Sequence, residues 1–249
     1  MGEAGVPLDA TGEPLYPIIA WHDPRSEPQA DFLRREVGTE ALHRITGQQV
    51  RHVFAATKLL WLRQNAPDVI RRMALWLSME DYALWRLSGA AATDFSIASR
   101  TMLFDQAGGD WSPPMLDICG IHAGQLPRPF PSATVIGRVT AQAAQQTGLA
   151  EGTPVVTGGH DHLCGALAAG AVETGRFLDS SGTAQSMLMP IERFHGGGDV
   201  FRAGFSCYRH VLRGRYMIQG GLNTAGAALE WMVRLAGGDA AHYDDMFRE

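Results

Sequence analysis

The sequence is poor in cysteine: Cys119, Cys164 and Cys207 are the only three in 249 residues. They lie far apart and are odd in number, which argues against a disulfide framework and fits a reducing cytoplasm. Long apolar runs are lacking too, and nothing approaches the roughly 20 residues of a membrane span. Met1-Gly2-Glu3-Ala4-Gly5 offers neither the basic nor the apolar region of a signal peptide, so none is expected. Basic runs are absent and the net charge is -5, so neither nucleic acid nor a membrane is expected as a partner. Internal repeats and low-complexity tracts are also missing. What is present is 45% hydrophobic and 19% charged, the balance of a globular protein with one large or two modest domains.

The stretch 153–165 organises the rest. Val155 and Val156 supply a β-branched run that predicts a buried strand, and Gly158-Gly159 end it. Asp161 follows, and 163–169 predicts a helix of small and apolar residues. The acid would then stand at the carboxyl end of a strand in an α/β sheet, where such folds place ligands. Asp179-Ser180-Ser181-Gly182-Thr183 predicts a second glycine turn, between two strands over 175–189. A carboxylate and a phosphate-sized turn joined by a small-residue helix suggest phosphoryl transfer.

Upstream, 5–9 and 16–21 predict two short strands around a polar turn, and Ser26-Glu27-Pro28 opens a helix through Arg35. Residues 39–90 are strongly helical in pattern. One covers 56–62 and carries a lone lysine, Lys58. Another starts at Pro67, and a third starts at the Ser78-Met79-Glu80-Asp81 capping box and stops at Gly89. Trp76, Tyr82 and Trp85 are expected in the core, since aromatics at helical spacing usually bury. Residues 91–134 are expected to be irregular, with Thr and Ser capping loop backbone around Asp94 and Arg100. From 135 a strand, a helix over 141–147 capped by Thr140 and stopped by Gly148, and the strand ending near Asp161 restore an α/β pattern. Strands at 201–208 and 216–220 then precede Gly220-Gly221-Leu222-Asn223-Thr224, a glycine-rich helix entry that suits phosphate or nucleotide. The change of pattern near 170–175 divides the chain into domains of 1–171 and 172–249.

Plainer readings stand beside these. Asp161, after two glycines and before a helix, is an N-cap candidate. Ser181-Gly182-Thr183 is also an ordinary hairpin turn. Trp21, Asp23 and Arg25 also fit a packed aromatic beside a surface ion pair. His160 and His162 could share a strand face and, with Cys164, hold zinc, but a further ligand is hard to place and no protein-held metal is expected.

Together these stretches resemble the FGGY family of carbohydrate kinases, over nearly the whole chain. Lys58-Leu59-Leu60-Trp61-Leu62-Arg63-Gln64-Asn65 is similar to the family's first signature, with departures upstream at Val53 and Ala55. Asp81-Tyr82, Trp85-Arg86-Leu87-Ser88-Gly89, Thr93-Asp94, Ser96 and Ala98-Ser99-Arg100-Thr101 resemble its middle block. Gly158-Gly159-His160-Asp161 is similar to the segment with the catalytic base, Ser181-Gly182-Thr183 to the turn on the nucleotide phosphate, and 225–231 to the helix near the nucleotide.

The resemblance implies an α/β fold of two actin-like (ribonuclease-H-like) ATPase domains. Residues 1–171 would be the sugar-binding domain, and 172–249 the opening of the nucleotide-binding domain. The family's N-terminal Asp-x-Gly-Thr hairpin and the later part of its second domain have no match, so both are expected to be missing. The implied activity transfers the γ-phosphate of ATP, with Mg²⁺ carried by the nucleotide, to a hydroxyl of a ketose or polyol. A pentulose such as xylulose is the first choice, because His160-Asp161 and Trp21-His22-Asp23-Pro24-Arg25 look more like xylulokinases than glycerol kinases. By the same resemblance Asp161 is the general base. Glu3, Trp21, Asp23, Arg25 and His160 bind sugar, and Gly182, Thr183, Gly226 and Glu230 bind nucleotide. Asp94 and Arg100 stand second, with bracing of their loop as the alternative. A cytoplasmic enzyme is expected, and homodimerisation is a family habit. The alternative function is a non-catalytic sugar-binding fragment of such a kinase.

Overall fold

Strand β1, Gly5–Leu8, is buried along its whole length. In the computed structural model, which describes residues 3–182, 184–222 and 224–235, its ladder partner is the antiparallel β2, Leu75–Ser78, with Val6 opposite Leu77. The segment expected to pair with it, 16–21, contributes only the Gly5–Ile19 bridge, and Leu8–Pro14 adds another. Pro14 and Pro17 have no N–H to give, so the expected hairpin does not form. β2 also interrupts the stretch predicted to be strongly helical. Leu75-Trp76-Leu77 is a short apolar run that periodicity alone cannot assign. Trp76 is buried as expected, but on a strand.

A 3-10 turn at Pro24–Ser26 leads into α1, Glu27–Phe32, and a π-helical turn at Leu33–Gly38 continues it to α2, Thr39–Thr46. α3, Ala55–Asn65, and α4, Pro67–Arg72, come next. α5, Met79–Ser88, starts directly from β2 at the expected capping box. The Ser78 hydroxyl accepts from the Asp81 amide, and the Asp81 carboxylate accepts from the Ser78 amide. α3 is buried nearly all round and forms the axis of the main core, with Leu33, Leu42, Phe54, Phe104 and Met115 packed about it. Full burial of such a side chain contributes about 1.5–3 kcal/mol, so packing rather than propensity fixes this helix.

Residues 91–134 are built from short elements rather than loop. β3, Ala92–Asp94, runs into α6, Phe95–Ser99. Then come β4, Phe104–Asp105, β5, Asp110–Trp111, α7, Pro113–Cys119, and β6, Arg128–Phe130. Elements this short leave no periodicity to read. β3 with β6 is the one parallel pair among the described residues.

β7, Val135–Arg138, α8, Ala141–Thr147, and β8, Pro154–Val156, follow the expected order, with Thr140 capping α8 and Gly148 closing it. β8 departs from expectation. Only Val155 is buried, and the strand pairs antiparallel with β7 alone. Residues 157–160 then link it to α9, Asp161–Ala168.

The last part is an antiparallel sheet in the order β11-β12-β10-β9. β9 is Leu178–Ser181, β10 Gln185–Ile191, β11 Ser206–Arg209 and β12 Tyr216–Leu222. The strand predicted from 201 starts only at 206, because α10, Gly198–Arg202, occupies its beginning. α11, Gly226–Leu235, follows β12. A second core joins α9 to this sheet through Leu163, Ala166, Leu188, Tyr208 and Met217. The sheet meets α2 at Gly47, whose φ is +65°, and a Cβ there would stand 1.6 Å from the Cys207 carbonyl oxygen, so the junction requires glycine. The three cysteines are free. Among the described residues no helix is long and apolar enough to cross a membrane.

Candidate active site

The link 157–160 is held to other parts of the chain at almost every residue. The Thr157 hydroxyl donates to the Pro131 carbonyl at 3.0 Å and accepts from the Thr134 amide at 3.0 Å. Glu80, in the first turn of α5, accepts from the Gly158 amide at 2.9 Å. Ser96, in α6, accepts from the His160 amide at 2.8 Å and donates to Asp94 at 3.0 Å. Gly159 passes so close to the sheet connection that a Cβ would lie 2.4 Å from Val211 Cγ1. The link therefore delivers Asp161 at a fixed place.

Asp161 is the first residue of α9, and its side chain is 82% exposed. His160, not Asp161, occupies the N-cap position, and it makes no side-chain cap. Among the described residues the Asp161 carboxylate accepts only from the adjacent His162 amide, at 2.8 Å. Capping therefore does not account for this acid. Burial opposes its ionisation, but His160 and the His162 amide outweigh burial and hold its carboxyl below the usual range.

Glu3, Arg100 and His160 converge beside it. Arg100 grips Glu3 Oε1 through Nε at 2.7 Å and Nη2 at 2.6 Å. Its guanidinium also lies over the Phe54 and Tyr208 rings. Burial would raise the Glu3 carboxyl, and Arg100 followed by His160 reverses this, so it stays below the usual range. His160 Nε2 is 4.0 Å from Glu3 Oε1, and its Nδ1 is 3.4 Å from Asp161 Oδ1 without a hydrogen bond. Burial first, and Arg100 second, push this imidazole down to about 4, so it is neutral at physiological pH. Asp94 caps α6, accepting from the Ser96 and Ile97 amides, each at 2.9 Å, and from the Ser132 hydroxyl. Of the two secondary candidates, Asp94 braces α6, and Arg100 pairs with Glu3 beside His160.

Asp23 accepts from the Arg25 amide at 2.9 Å and pairs with its guanidinium at 2.7 Å. The Arg25 guanidinium lies 5.1 Å from the Trp61 ring centre. The bond to Arg25, and less strongly the charge of Lys58, holds the Asp23 carboxyl down. Trp21 is half exposed, with the His22 ring as its aromatic neighbour. The ion pair of the plainer reading is present, with Trp61 rather than the exposed Trp21 as its aromatic shelf, and Lys58 lies within electrostatic reach of Asp23.

The expected nucleotide residues are brought together in part. The Gly182 carbonyl accepts from the Gly226 amide at 2.9 Å, so the β9–β10 turn touches the start of α11. Glu230 lies further along α11, bonded to Arg234. Thr183 lies outside the described residues. A cavity of about 760 Å³ is lined by Arg100, His162, Ser180, Gly182, Gly220 and Gly221 among others. Glycine backbone and serine hydroxyls in a space of this size fit a nucleotide triphosphate. His160 and His162 stack at the helix start rather than sharing a strand face. Among the described residues no group of three or more His, Cys, Asp or Glu is arranged to hold a metal.

The description "FGGY family of carbohydrate kinases, N-terminal domain" matches residues 1–168. The chain belongs to the FGGY family of carbohydrate kinases. It is 30% identical to the xylulose kinase of Escherichia coli K12 over 92% of this chain and 46% of that protein. It is 31% identical to the L-fuculokinase of the same strain, over 94% and 49%. Among solved structures, the xylulose kinase of Rhodospirillum rubrum superposes with a TM-score of 0.90 at 30% identity, covering 98% of this chain and 49% of that one. The chain thus spans about half the length of the curated relatives it matches, and it has the α/β, actin-like fold of FGGY sugar kinases.

Within this FGGY framework, three residues matter that the sequence reading gave no role. Glu80 and Gln219 are ordinary polar residues until the chain is folded. Gln219 Oε1 accepts from Arg100 Nη1 at 3.2 Å and from the Tyr208 hydroxyl, while its Nε2 donates to Ser186 at 2.7 Å. Lys58 carried two available signals: a lysine on an otherwise apolar helix, and the first place in the stretch similar to the family's first signature.

Proposed function

We propose that this chain carries the sugar site, and part of the nucleotide site, of an ATP-dependent kinase acting on a ketose or polyol, with a pentulose such as xylulose the first candidate. The observation that carries the reading is Asp161: an exposed, ionised carboxylate on a clamped link, beside the buried Glu3–Arg100–His160 cluster. Its surroundings give it no structural work that would account for its placement.

In this reading the substrate hydroxyl donates to Asp161, which accepts its proton as the phosphoryl bond forms. A carboxylate with a lowered pKa is a weak base. Phosphoryl transfer tolerates that, because its loose transition state asks more of positioning than of base strength. Glu3 and Asp23 accept further hydroxyls, and the neutral His160 carries one ring N–H and one acceptor nitrogen, with Nε2 on the Glu3 side and Nδ1 on the Asp161 side. Trp21 and Arg25 border the same site. Gly182, Thr183, Gly226 and Glu230 would hold ATP, which with its Mg²⁺ supplies the phosphoryl group when bound. Residues 1–171 form the sugar domain in this account, and the nucleotide domain starts at 172.

The likeness to xylulose kinases supports a pentulose, and the comparable likeness to an L-fuculokinase supports the wider sugar class. The test is binding and ATP-dependent phosphorylation across a panel of ketoses and polyols, with Asp161→Asn alongside. Retained sugar binding with transfer reduced about 10²–10⁴-fold is expected for loss of a positioned base. Binding by the unaltered chain without transfer would favour the non-catalytic alternative.

A further inference from the structure

Lys58 is the only lysine in the 249 residues, and its side chain is fully buried in α3. The mechanism above does not use it. A buried ammonium persists only where close partners offset its lost hydration. Its Nζ donates to the main-chain carbonyl of Glu3. Two carboxylates support its charge, Glu3 most strongly and Asp23 next. They come from separate segments, one ahead of β1 and the other at the start of the 3-10 turn. One helical turn along α3 stands Trp61, the shelf under the Arg25 guanidinium that grips Asp23. α3 therefore governs both carboxylates: Glu3 through Lys58, and Asp23 through Lys58 and through the Trp61–Arg25 stack.

We infer that Lys58 is the positioning residue of the sugar site: its ammonium fixes the main chain at Glu3, and its charge acts on both Glu3 and Asp23, holding two acceptors in place for the hydroxyls of a polyol substrate. This rests on the sugar-site reading above. Without the ammonium both anions lose a supporting positive charge, and the Glu3 carbonyl loses a donor in a buried place. Arg100 cannot take over, because its guanidinium already points at the Glu3 carboxylate rather than at Asp23. With no exposure to solvent, Lys58 acts through the two acids and not by touching the sugar.

A single lysine makes the test direct. Protein labelled only in lysine side chains gives one ammonium resonance, and burial sets its midpoint near 8, below the ordinary 10.5. Asp23→Asn and Glu3→Gln should each move that midpoint further down, since each removes a supporting negative charge. Xylulose, or the panel member that binds, should shift the resonance saturably, with the same midpoint concentration as tryptophan fluorescence. Lys58→Met should weaken that sugar at least tenfold and leave ATP affinity unchanged, with partial recovery in Lys58→Arg. Sugar binding that leaves the resonance unmoved, together with an unmoved titration in Asp23→Asn, overturns the inference alone and needs no foldable Lys58 variant. Failure of every panel member to bind overturns the sugar-site reading, and the inference with it.

Discussion

Replacing Glu80 by Gln should stabilise the protein at alkaline pH and change little in acid. Glu80 holds the Gly158 amide at 2.9 Å from the start of α5. Burial first, then the charges of Asp94 and Asp81, push its carboxyl from 4.5 up to about 7. A raised pKa means that the folded state holds the proton more tightly than the unfolded chain. The contribution is therefore fully present below 4.5 and is lost as pH rises through about 7. At about 1.4 kcal/mol per pH unit between the two values, that range corresponds to about 3 kcal/mol. Glu80 is partly exposed, so solvent screening reduces the observable difference to about 1–3 kcal/mol. Gln keeps the volume and the oxygen that faces Gly158, and it has no charge to titrate. Urea unfolding followed by tryptophan fluorescence at pH 4.5, 6 and 8 measures the effect. The Gln variant should gain stability over the unaltered protein progressively across that range. A difference that stays constant with pH would refute the reasoning.

Gly159→Ala should cost about 1–3 kcal/mol of stability by overpacking against Val211, and the double variant with Val211→Ala should recover most of it in Tm. No recovery would show that the tight contact is not the cause. Gln219→Leu leaves Arg100 Nη1, the Tyr208 hydroxyl and Ser186 without a shared partner, so urea unfolding should show a loss of about 1–3 kcal/mol. An unchanged midpoint would contradict the network. Arg25→Ala removes a partly exposed ion pair worth about 0–1 kcal/mol, so Tm should hardly move while sugar affinity falls several-fold. The reverse pattern, a large loss of Tm with affinity intact, would make Arg25 a structural residue.

Legibility in the sequence followed the length and locality of the signal. Thr140, Gly148 and the Ser78–Asp81 box are local chemistry, and each sits where the residues predict. The strands at 178–181 and 185–191 were legible for the same reason, since a short turn joins them. β1 paired with β2 was not legible. The partners lie about seventy residues apart in sequence, and only tertiary packing distinguishes Leu75–Ser78 from more helix. Asp161 was visible through the glycines before it, whereas its neighbours were visible only through the family resemblance. Glu3 precedes the first strand, and nothing near it announces that Arg100 will close on it from 97 positions away. Glu80 was legible as a capping-box residue and not as the acceptor that steadies the link to Asp161, because that role exists only across two folded elements.

The most direct test of the central claim measures sugar binding and ATP-dependent phosphate transfer by this chain with a panel of ketoses and polyols, beside its Asp161→Asn variant. The account predicts binding of a ketose, xylulose first, by both proteins, and transfer that falls about 10²–10⁴-fold in the variant. Transfer at equal rates by both proteins, or binding of no panel member by either, contradicts it.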